Sequence, residues 1–288
     1  MFKAIEWYGT RLHHRGNYRV VNALRRLTNA DIDAELIVRR DGLTWSLNPS
    51  DFVHQDVFWH GVKDKWDVWH LRRMLPPTSL IVDIGSNFGY YAVYLAHHLG
   101  PQARAIAFEP MPRNFGRLVH NIGLNGLNDR VKPLRVGLSR VPGWAQMGMR
   151  EGNSGSAQIQ GEAGTGIAIE LDALDRIWDQ VAGHDARCDF VKLDVEGHEV
   201  AALSGARNVI ERHRPVILLE VDPPRLAECG SSPRELQASL DDFGYRYFVA
   251  DRKRLTRTTI ADSPELVNVF CLHPARSAAE IAAWGRDR

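Results

Sequence analysis

Short apolar runs alternate with helical patterns from residue 76 to residue 273. Seven of these runs have the length and composition of strands: 80–82, 104–108, 131–136, 190–193, 216–221, 245–250 and 266–272. Helical periodicity fills most of the intervals between them. Because strands that alternate with helices form parallel sheets, the pattern predicts an α/β fold. We expect a mostly parallel seven-stranded sheet with helices on both faces and an antiparallel final pair.

The pattern divides the chain into three parts. Residues 35–39 and 43–47 flank Asp41-Gly42, a strong hairpin signal, and a mixed loop and helix segment follows. We therefore predict a hairpin and helix cap over residues 1–75, a main domain over 76–273 and a C-terminal tail over 274–288. Within the main domain, residues 144–149 and 167–171 read as strands joined by a Gly/Ser-rich loop, which predicts a hairpin insertion near 141–171.

Charge and cysteine content narrow the function classes. The formal net charge of +1 provides no field of the size that a nucleic-acid-binding protein needs. Cys188, Cys229 and Cys271 are odd in number and lack disulfide-like or metal-like spacing, which is typical of a reducing compartment. No apolar run approaches the length of a membrane span, and we expect a cytoplasmic protein.

Residues 1–30 are strongly basic. One acid, Glu6, stands against six cations: Lys3, Arg11, Arg15, Arg19, Arg25 and Arg26. Apolar residues interleave with them, so the segment fits an amphipathic helix that associates with a membrane surface. It also fits a helical extension packed on its own domain or on a partner. Gly9 and Gly16 interrupt the helical pattern and favour the second interpretation.

The most informative stretch is VDIGSNFGYY, residues 82–91, with AFEP at 107–110. Asp83 ends a strand, Gly85 and Gly89 bracket a turn, and a helix follows. Such a turn lets a ligand approach the backbone and the N-terminal amides of the helix. Glu109 ends the next strand, where doubly wound folds place the carboxylate that binds ribose hydroxyls. The sequence therefore predicts a nucleoside-containing cofactor.

The spacing favours S-adenosyl-L-methionine over a dinucleotide. A dinucleotide fingerprint has a middle glycine, and Ser86 or Asn87 takes that place here. S-adenosylmethionine carries no phosphate and has an ammonium that Asp83 can accept. We therefore expect the cofactor to contact Asp83, Gly85, Ser86, Asn87, Gly89 and Glu109.

A second motif, VKLDVEGHE at 191–199, follows a buried strand and precedes a helix. Methyl transfer to an alcohol needs in-line geometry and a base that takes the hydroxyl proton. We predict that His198 is this base, that Asp194 positions the acceptor or the methionine end of the cofactor, and that Glu196 orients the imidazole or shares the proton. Glu196 as the base is the alternative. A divalent metal held by Asp194, Glu196 and His198 is not favoured, because a single turn supplies all three ligands.

These motifs carry a resemblance to a known family. Together with VGLS, LDAL and VILLEV, they are similar to the FkbM-type S-adenosylmethionine-dependent methyltransferases over roughly residues 35–272. The resemblance implies a Rossmann-like class I methyltransferase fold and O-methylation of a hydroxyl on a sugar, glycan or natural product. It places the cofactor motif on residues 83–89 and Glu109, and the second motif on Asp194, Glu196, Gly197 and His198.

Two other functions stay open. A nicotinamide-dependent oxidoreductase is disfavoured by the missing glycine and by the absence of a Tyr-x-x-x-Lys pair. A non-catalytic protein with a methyltransferase fold would not need acids at these strand ends. On the acceptor side, aromatic and imidazole side chains crowd residues 45–70. They predict either a sugar-binding surface or a core beneath the cap.

Overall fold

The fold is known from a computed structural model, which describes residues 2–12, 16–28, 32–148, 153–160 and 166–284. Arg15, residues 151–152 and 161–165 of the 151–166 loop, and residues 285–288 lie outside the described residues. The helices are α1 (Phe2–Arg11), α2 (Asn17–Thr28), α3 (Gln55–His60), α4 (Lys65–Met74), α5 (Tyr90–Leu99), α6 (Pro112–Leu124), α7 (Leu174–Ala182), α8 (Glu199–Ser204), α9 (Arg207–His213), α10 (Pro223–Glu228), α11 (Pro233–Asp241) and α12 (Pro274–Trp284).

The strands form three sheets. In chain order they are β1 (Leu36–Arg40), β2 (Leu43–Leu47), β3 (Leu80–Ile84), β4 (Arg104–Phe108), β5 (Val131–Leu134), β6 (Gly137–Leu138), β7 (Gly143–Gly148), β8 (Gln158–Gln160), β9 (Ile167–Asp172), β10 (Phe190–Leu193), β11 (Val216–Val221), β12 (Arg246–Asp251), β13 (Arg254–Arg257) and β14 (Val267–Leu272). The central sheet has the order β13-β12-β14-β11-β10-β3-β4-β5.

The central sheet is parallel from β11 to β5 and antiparallel at its other end. This confirms the α/β fold and the antiparallel pairing of β12 with β14. The described sheet has eight strands where we expected seven. The additional strand, β13, pairs with β12 across a tight turn in which Arg252 has a φ of 54°. Three of its four side chains are exposed, so its sequence has the polarity of a loop.

Strand order reverses between β3 and β10, because the chain moves outward to β4 and β5 before it returns. Open α/β sheets bind ligands at the carboxyl ends of strands at such a point. β3 is buried on both faces, since Ile81 joins the apolar cluster that includes α5 while Val82 joins the cluster that includes α8 and α9. Burial on both faces explains its uninterrupted apolar sequence.

The N-terminal extension packs on the main domain. β1 and β2 form the predicted hairpin, and Asp41 and Gly42 have φ values of 45° and 83°, as a type I′ turn requires. Ile5 of α1 and Val21 of α2 are buried, and Glu6 pairs with Arg40 at 2.6 Å. Of the two interpretations of residues 1–30, a helical extension packed on its own chain is seen here, with contacts to β1 and α3. Within the described residues, no helix is long and apolar enough to cross a membrane.

The insertion is a small sheet of its own, in the order β6-β9-β7-β8. β7 and β9 pair antiparallel, as expected for a hairpin. β6 and β8, of two and three residues, add to its two edges and are too short to show alternation in the sequence. The described part of the predicted tail is helix α12, and Arg276 donates to Asp189 Oδ1 at 2.8 Å.

Candidate active site

The cofactor turn, residues 83–89, joins β3 to α5 and is held by its backbone. The amides of Gly85 and Ser86 donate to the carbonyl of Phe108 on β4 at 3.0 and 2.9 Å. Gly85 has a φ of 82°, and a Cβ there would overlap the carbonyl oxygen of Asp194. The glycine is therefore required for its conformation and for a close approach of the two motifs.

Glu109 fastens the far side of this turn. Its Oε2 accepts the amide of Asn87 at 2.8 Å and its Oε1 accepts the amide of Met111 at 2.9 Å. The side chain is buried, and burial raises the pKa of Glu109 to about 7. Each carboxylate oxygen can accept a second hydrogen bond, so the group still has capacity for two hydroxyl donors.

Asp83 and Gly89 have different places in the turn. Asp83 Oδ2 accepts the amide of Ala92 at 3.0 Å, and burial raises the pKa of Asp83 to about 6. It lines the cavity described below. Gly89 does not line that cavity. It has a φ of 90° at the start of α5, where a Cβ would crowd Leu118. The geometry gives Gly89 a packing role, and a direct contact with the cofactor stays a prediction.

Asp194 follows β10 and is surrounded by charge. The ammonium of Lys192, a side chain only 2% exposed, lies 3.5 Å from Asp194 Oδ2. Burial alone would raise the pKa of Asp194, but Lys192 and Lys63 outweigh it and lower the pKa below its ordinary value. Glu220 on β11 behaves oppositely, since burial and then Asp194 raise its pKa well above the ordinary value. The two carboxyl groups interact, and the opposite directions of their pKa values favour a proton on Glu220 over one on Asp194.

Glu196 occupies a strained position in the second turn, with a φ of 53°. Its Oε2 lies 3.1 Å from Nε of Arg225 on α10. Burial, and then Asp194, raise the pKa of Glu196 to about 8. Glu199 Oε1 accepts the amides of Val195 and Gly197 at 3.1 and 3.2 Å, so this acid holds the turn together.

His198 is the residue immediately before α8, and its half-buried side chain lines the cavity. Burial lowers the pKa of His198 below its ordinary value, which keeps the imidazole neutral at pH 7.

These groups meet in one cavity of about 520 Å³, which lies within the size range of ligand sites. Both motifs line it: the first contributes Asp83, Gly85, Ser86, Asn87 and Glu109, and the second contributes Asp194, Glu196 and His198. The extension contributes Phe52 and Lys63, and the insertion contributes Ser154. Ser154 Oγ lies 3.0 Å from Asp51 Oδ1 and 3.2 Å from Asn87 Oδ1, which fixes the insertion to the cofactor turn.

Comparison with known proteins agrees with this arrangement. A family model described as the methyltransferase FkbM domain matches residues 83–247, more than half of the chain. This chain belongs to the FkbM methyltransferase family. The match includes both motifs and ends within β12.

Three similar proteins illustrate the range of the family. The AMB antimetabolite synthetase AmbE of Pseudomonas aeruginosa is 26% identical over 278 residues, which is 83% of this chain but 12% of that protein. The hexuronic acid methyltransferase AglP of Haloferax volcanii is 31% identical over 145 residues, 49% of this chain and 55% of AglP. A crystal structure of methyltransferase FkbM from Methylobacillus flagellatus has a TM-score of 0.41 at 15% identity, covering 93% of this chain and 57% of that one.

Seven charged residues that line this cavity were not predicted from the sequence: Asp56, Lys63, Asp64, Lys192, Glu220, Asp222 and Arg225. Lys192 and Glu220 stand within otherwise apolar strands, and a charged residue inside a buried strand is a signal that could have found them. Lys63 and Arg225 lie in polar surroundings along the chain and carry no such signal.

The only metal-like cluster among the described residues is Asp194, Glu196 and Glu220, whose ligand atoms lie within 4.8 Å of one another. His198, which we had considered as a ligand, is not part of this cluster. The ammonium groups of Lys63 and Lys192 already stabilise the charge of Asp194. The donor set therefore fits a protonated carboxyl pair with ammonium partners better than it fits a dication.

Most of the aromatic residues between positions 45 and 70 form core. The fully buried members are Trp45, His54, Phe58, Trp59 and His70. Phe52 is 68% exposed and lies at the cavity, and His60, Trp66 and Trp69 are half-buried. The predicted sugar-binding surface is therefore not formed by the cluster as a whole.

Proposed function

We propose that this chain is an S-adenosylmethionine-dependent O-methyltransferase that acts on a hydroxyl of a sugar, glycan or natural product. The observation that carries this proposal is that one cavity is lined by the cofactor turn and Glu109 together with Asp194, Glu196 and His198. The first motif has the backbone amides and buried acid that suit a nucleoside. The second has a neutral imidazole and carboxyl groups that suit proton removal from an alcohol.

The cofactor side would hold S-adenosylmethionine through Glu109 and Asp194. Glu109 accepts the two ribose hydroxyls with the capacity that its amide partners leave. Asp194 keeps its negative charge at neutral pH and accepts the methionine ammonium, while Asp83 supports the turn. Gly85, Ser86, Asn87 and, by shaping the turn, Gly89 allow the approach of the adenosine. The bound sulfonium supplies the activated methyl group.

The acceptor side would take the proton. His198 accepts the hydroxyl proton as the acceptor oxygen gains the methyl group, and its lowered pKa leaves it ready to do so at pH 7. Glu196, fixed by Arg225, orients the acceptor or shares the proton. No step requires a divalent metal.

A sugar acceptor agrees with the name of AglP, a hexuronic acid methyltransferase. We further propose that residues 1–75 form a cap on a methyltransferase domain over 76–273 with its insertion near 141–171, and that the protein is cytoplasmic. Association of residues 1–30 with a membrane surface remains a proposal, supported by exposed Trp7 and Leu27 beside Arg19 and Arg26.

The test is transfer of label from methyl-labelled S-adenosylmethionine to nucleotide sugars, lipid-linked sugars or glycan extracts. We expect label on a hydroxyl oxygen of one acceptor class, and unchanged turnover after exhaustive chelation. Reduction or oxidation of the same acceptors with a nicotinamide cofactor would favour the oxidoreductase. Cofactor binding without transfer to any acceptor class would favour a non-catalytic protein.

A further inference from the structure

A concave surface continues from the catalytic cavity across the N-terminal extension. The catalytic cavity shares Tyr18 and Asp56 with a depression beside α2 and the β12–β13 turn. That depression shares His60 and Lys65 with another, of about 870 Å³, between α1, the β1–β2 turn and α4. We call the two outer depressions the extension groove.

The extension groove is lined by exposed cations from several elements. Around the outer depression they are Lys3, Arg11, Arg39, Lys65, Arg72 and Arg73. The β12–β13 turn adds Arg252, Lys253 and Arg254 to the inner depression. These cations come from α1, β1, α4 and the distant β12–β13 turn. Together they create a positive potential that cannot be recognised in any single segment of the sequence.

Of the five acids that line the groove, four have protein partners: Glu6, Asp41, Asp56 and Asp64, which accepts the hydroxyl of Tyr91 at 2.8 Å. The fifth, Asp251, is exposed at the β12–β13 turn. Glu6 pairs with the buried Arg40 at 2.6 Å. Asp41 accepts the hydroxyl of Tyr94 at 2.7 Å and lies 3.4 Å from His98 Nε2. Asp56 accepts the hydroxyl of Tyr18 at 3.0 Å. These contacts direct four of the acids toward the protein and leave the exposed cations to face a ligand.

Aromatic rings accompany the cations. Trp7, which is 57% exposed, and Trp69 line the outer depression, and Trp66 lines the inner one. The rings of Tyr18 and His60 stack at 4.5 Å where the groove meets the catalytic cavity. Indole faces stack on the C–H surfaces of sugars, and guanidinium and ammonium groups bind phosphate or carboxylate oxygens.

We propose that the extension groove binds the anionic part of an extended acidic sugar, bearing phosphate or carboxylate groups, whose reactive hydroxyl enters the catalytic cavity. This rests on the proposed function, because methylation of that hydroxyl gives the groove its purpose. The concave shape and its continuity with the cavity favour a chain-like ligand over a flat membrane surface.

The test is calorimetry of the protein saturated with S-adenosylhomocysteine, with uridine diphosphate glucuronic acid and trigalacturonic acid as anionic probes and methyl α-D-glucoside as the neutral probe. We expect at least one anionic probe to bind, with affinity that falls as salt rises. The triple variant R39Q/K65Q/R72Q should bind it roughly 10- to 30-fold more weakly. The control R207Q/R234Q/R246Q removes three exposed arginines outside the groove and should bind as wild type does.

Three results would overturn the groove proposal. These are no binding of either anionic probe, binding by the triple variant as tight as by wild type, or binding of the neutral glucoside as tight as of the anionic probes. Capture by vesicles of phosphatidylcholine and phosphatidylglycerol, without binding of the soluble probes, would assign the cations to a membrane. Separate titration of S-adenosylhomocysteine tests the proposed function, so the two failures are distinguishable. Thermal unfolding at the wild-type temperature shows that the variants fold.

Discussion

Two parts of the cavity are built in different ways. The cofactor side is held by backbone contacts within a short stretch, in which Gly85, Ser86 and Asn87 are fixed by Phe108 and Glu109. The surroundings of Asp194 are assembled from side chains of distant segments, including Lys63 of the extension and Glu220 of β11. The first construction depends on backbone conformation, whereas the second depends on side chains that come together only in the folded protein.

The largest expected effect concerns the proton acceptor. His198→Ala should lower turnover by roughly 10²–10⁴-fold, because the acceptor hydroxyl loses its base. Affinity for S-adenosylhomocysteine should stay unchanged, since the imidazole belongs to the acceptor side. Initial rates with whichever acceptor takes label measure the first effect, and calorimetry measures the second. The exposed His120 on α6 provides the control substitution.

The assignment of the base is reversed if Glu196→Gln is inactive while His198→Ala retains nearly normal turnover. Glu196 would then be the base, held by Arg225, and the imidazole would only shape the cavity.

A methyl group at Gly85 should disturb both motifs together. Gly85→Ala places a Cβ against the Asp194 carbonyl at a φ of 82°. We expect the free energy of unfolding to fall by about 3 kcal/mol and cofactor binding to be lost. Denaturant unfolding measures the free energy. Gly116→Ala is the matched control, because no atom lies within 4 Å of a Cβ there on α6. Equal stability of the two variants would mean that the motifs do not touch.

Loss of the Glu109 carboxylate should weaken cofactor binding, and it also removes the acceptor of the Asn87 and Met111 amides. Glu109→Ala should weaken S-adenosylmethionine binding roughly 10- to 100-fold, because two charged hydrogen bonds to ribose are lost. Glu109→Gln keeps one accepting oxygen and should be intermediate. The exposed Glu211 on α9 is the control. Affinity of Glu109→Ala within threefold of wild type would place the ribose elsewhere.

The smallest expected effect concerns the pH at which the rate rises to its maximum. A base must be unprotonated, so turnover falls as pH drops through its pKa. The pKa of His198 is lowered by burial, so with His198 as the base the rate should be half-maximal at a pH below the ordinary histidine value of about 6.5 and should no longer rise near pH 8. With Glu196 as the base, whose pKa is about 8, the rate would still rise through pH 8. The pH dependence of kcat/KM distinguishes them.

The two constructions also explain what the sequence could reveal. The two turns that contain Gly85 and Gly197 were predicted from their glycines. Both glycines have positive φ angles, which other residues rarely adopt. Glu109 and Asp194 were found because strands β4 and β10 end in acids after apolar runs. Lys63 was missed because a contact between distant segments holds it at the cavity. Its backbone amide and carbonyl both hydrogen-bond to the hydroxyl of Tyr90, 27 positions further along the chain.

Edge strands were missed for another reason. β13 is mostly exposed and β6 has two residues, so neither shows the alternation that marks a strand. The aromatic run before α4 was ambiguous because burial of Trp45 and Trp59 depends on how the extension folds back. Composition alone does not distinguish core from a sugar-binding surface.

The most direct test of the central claim is calorimetric titration of the wild-type protein with S-adenosylhomocysteine and, separately, with NAD. The arrangement of the turn, Glu109 and Asp194 predicts binding of S-adenosylhomocysteine and none of NAD. Binding of NAD, or of neither compound, would contradict the assignment of this cavity to methyl transfer.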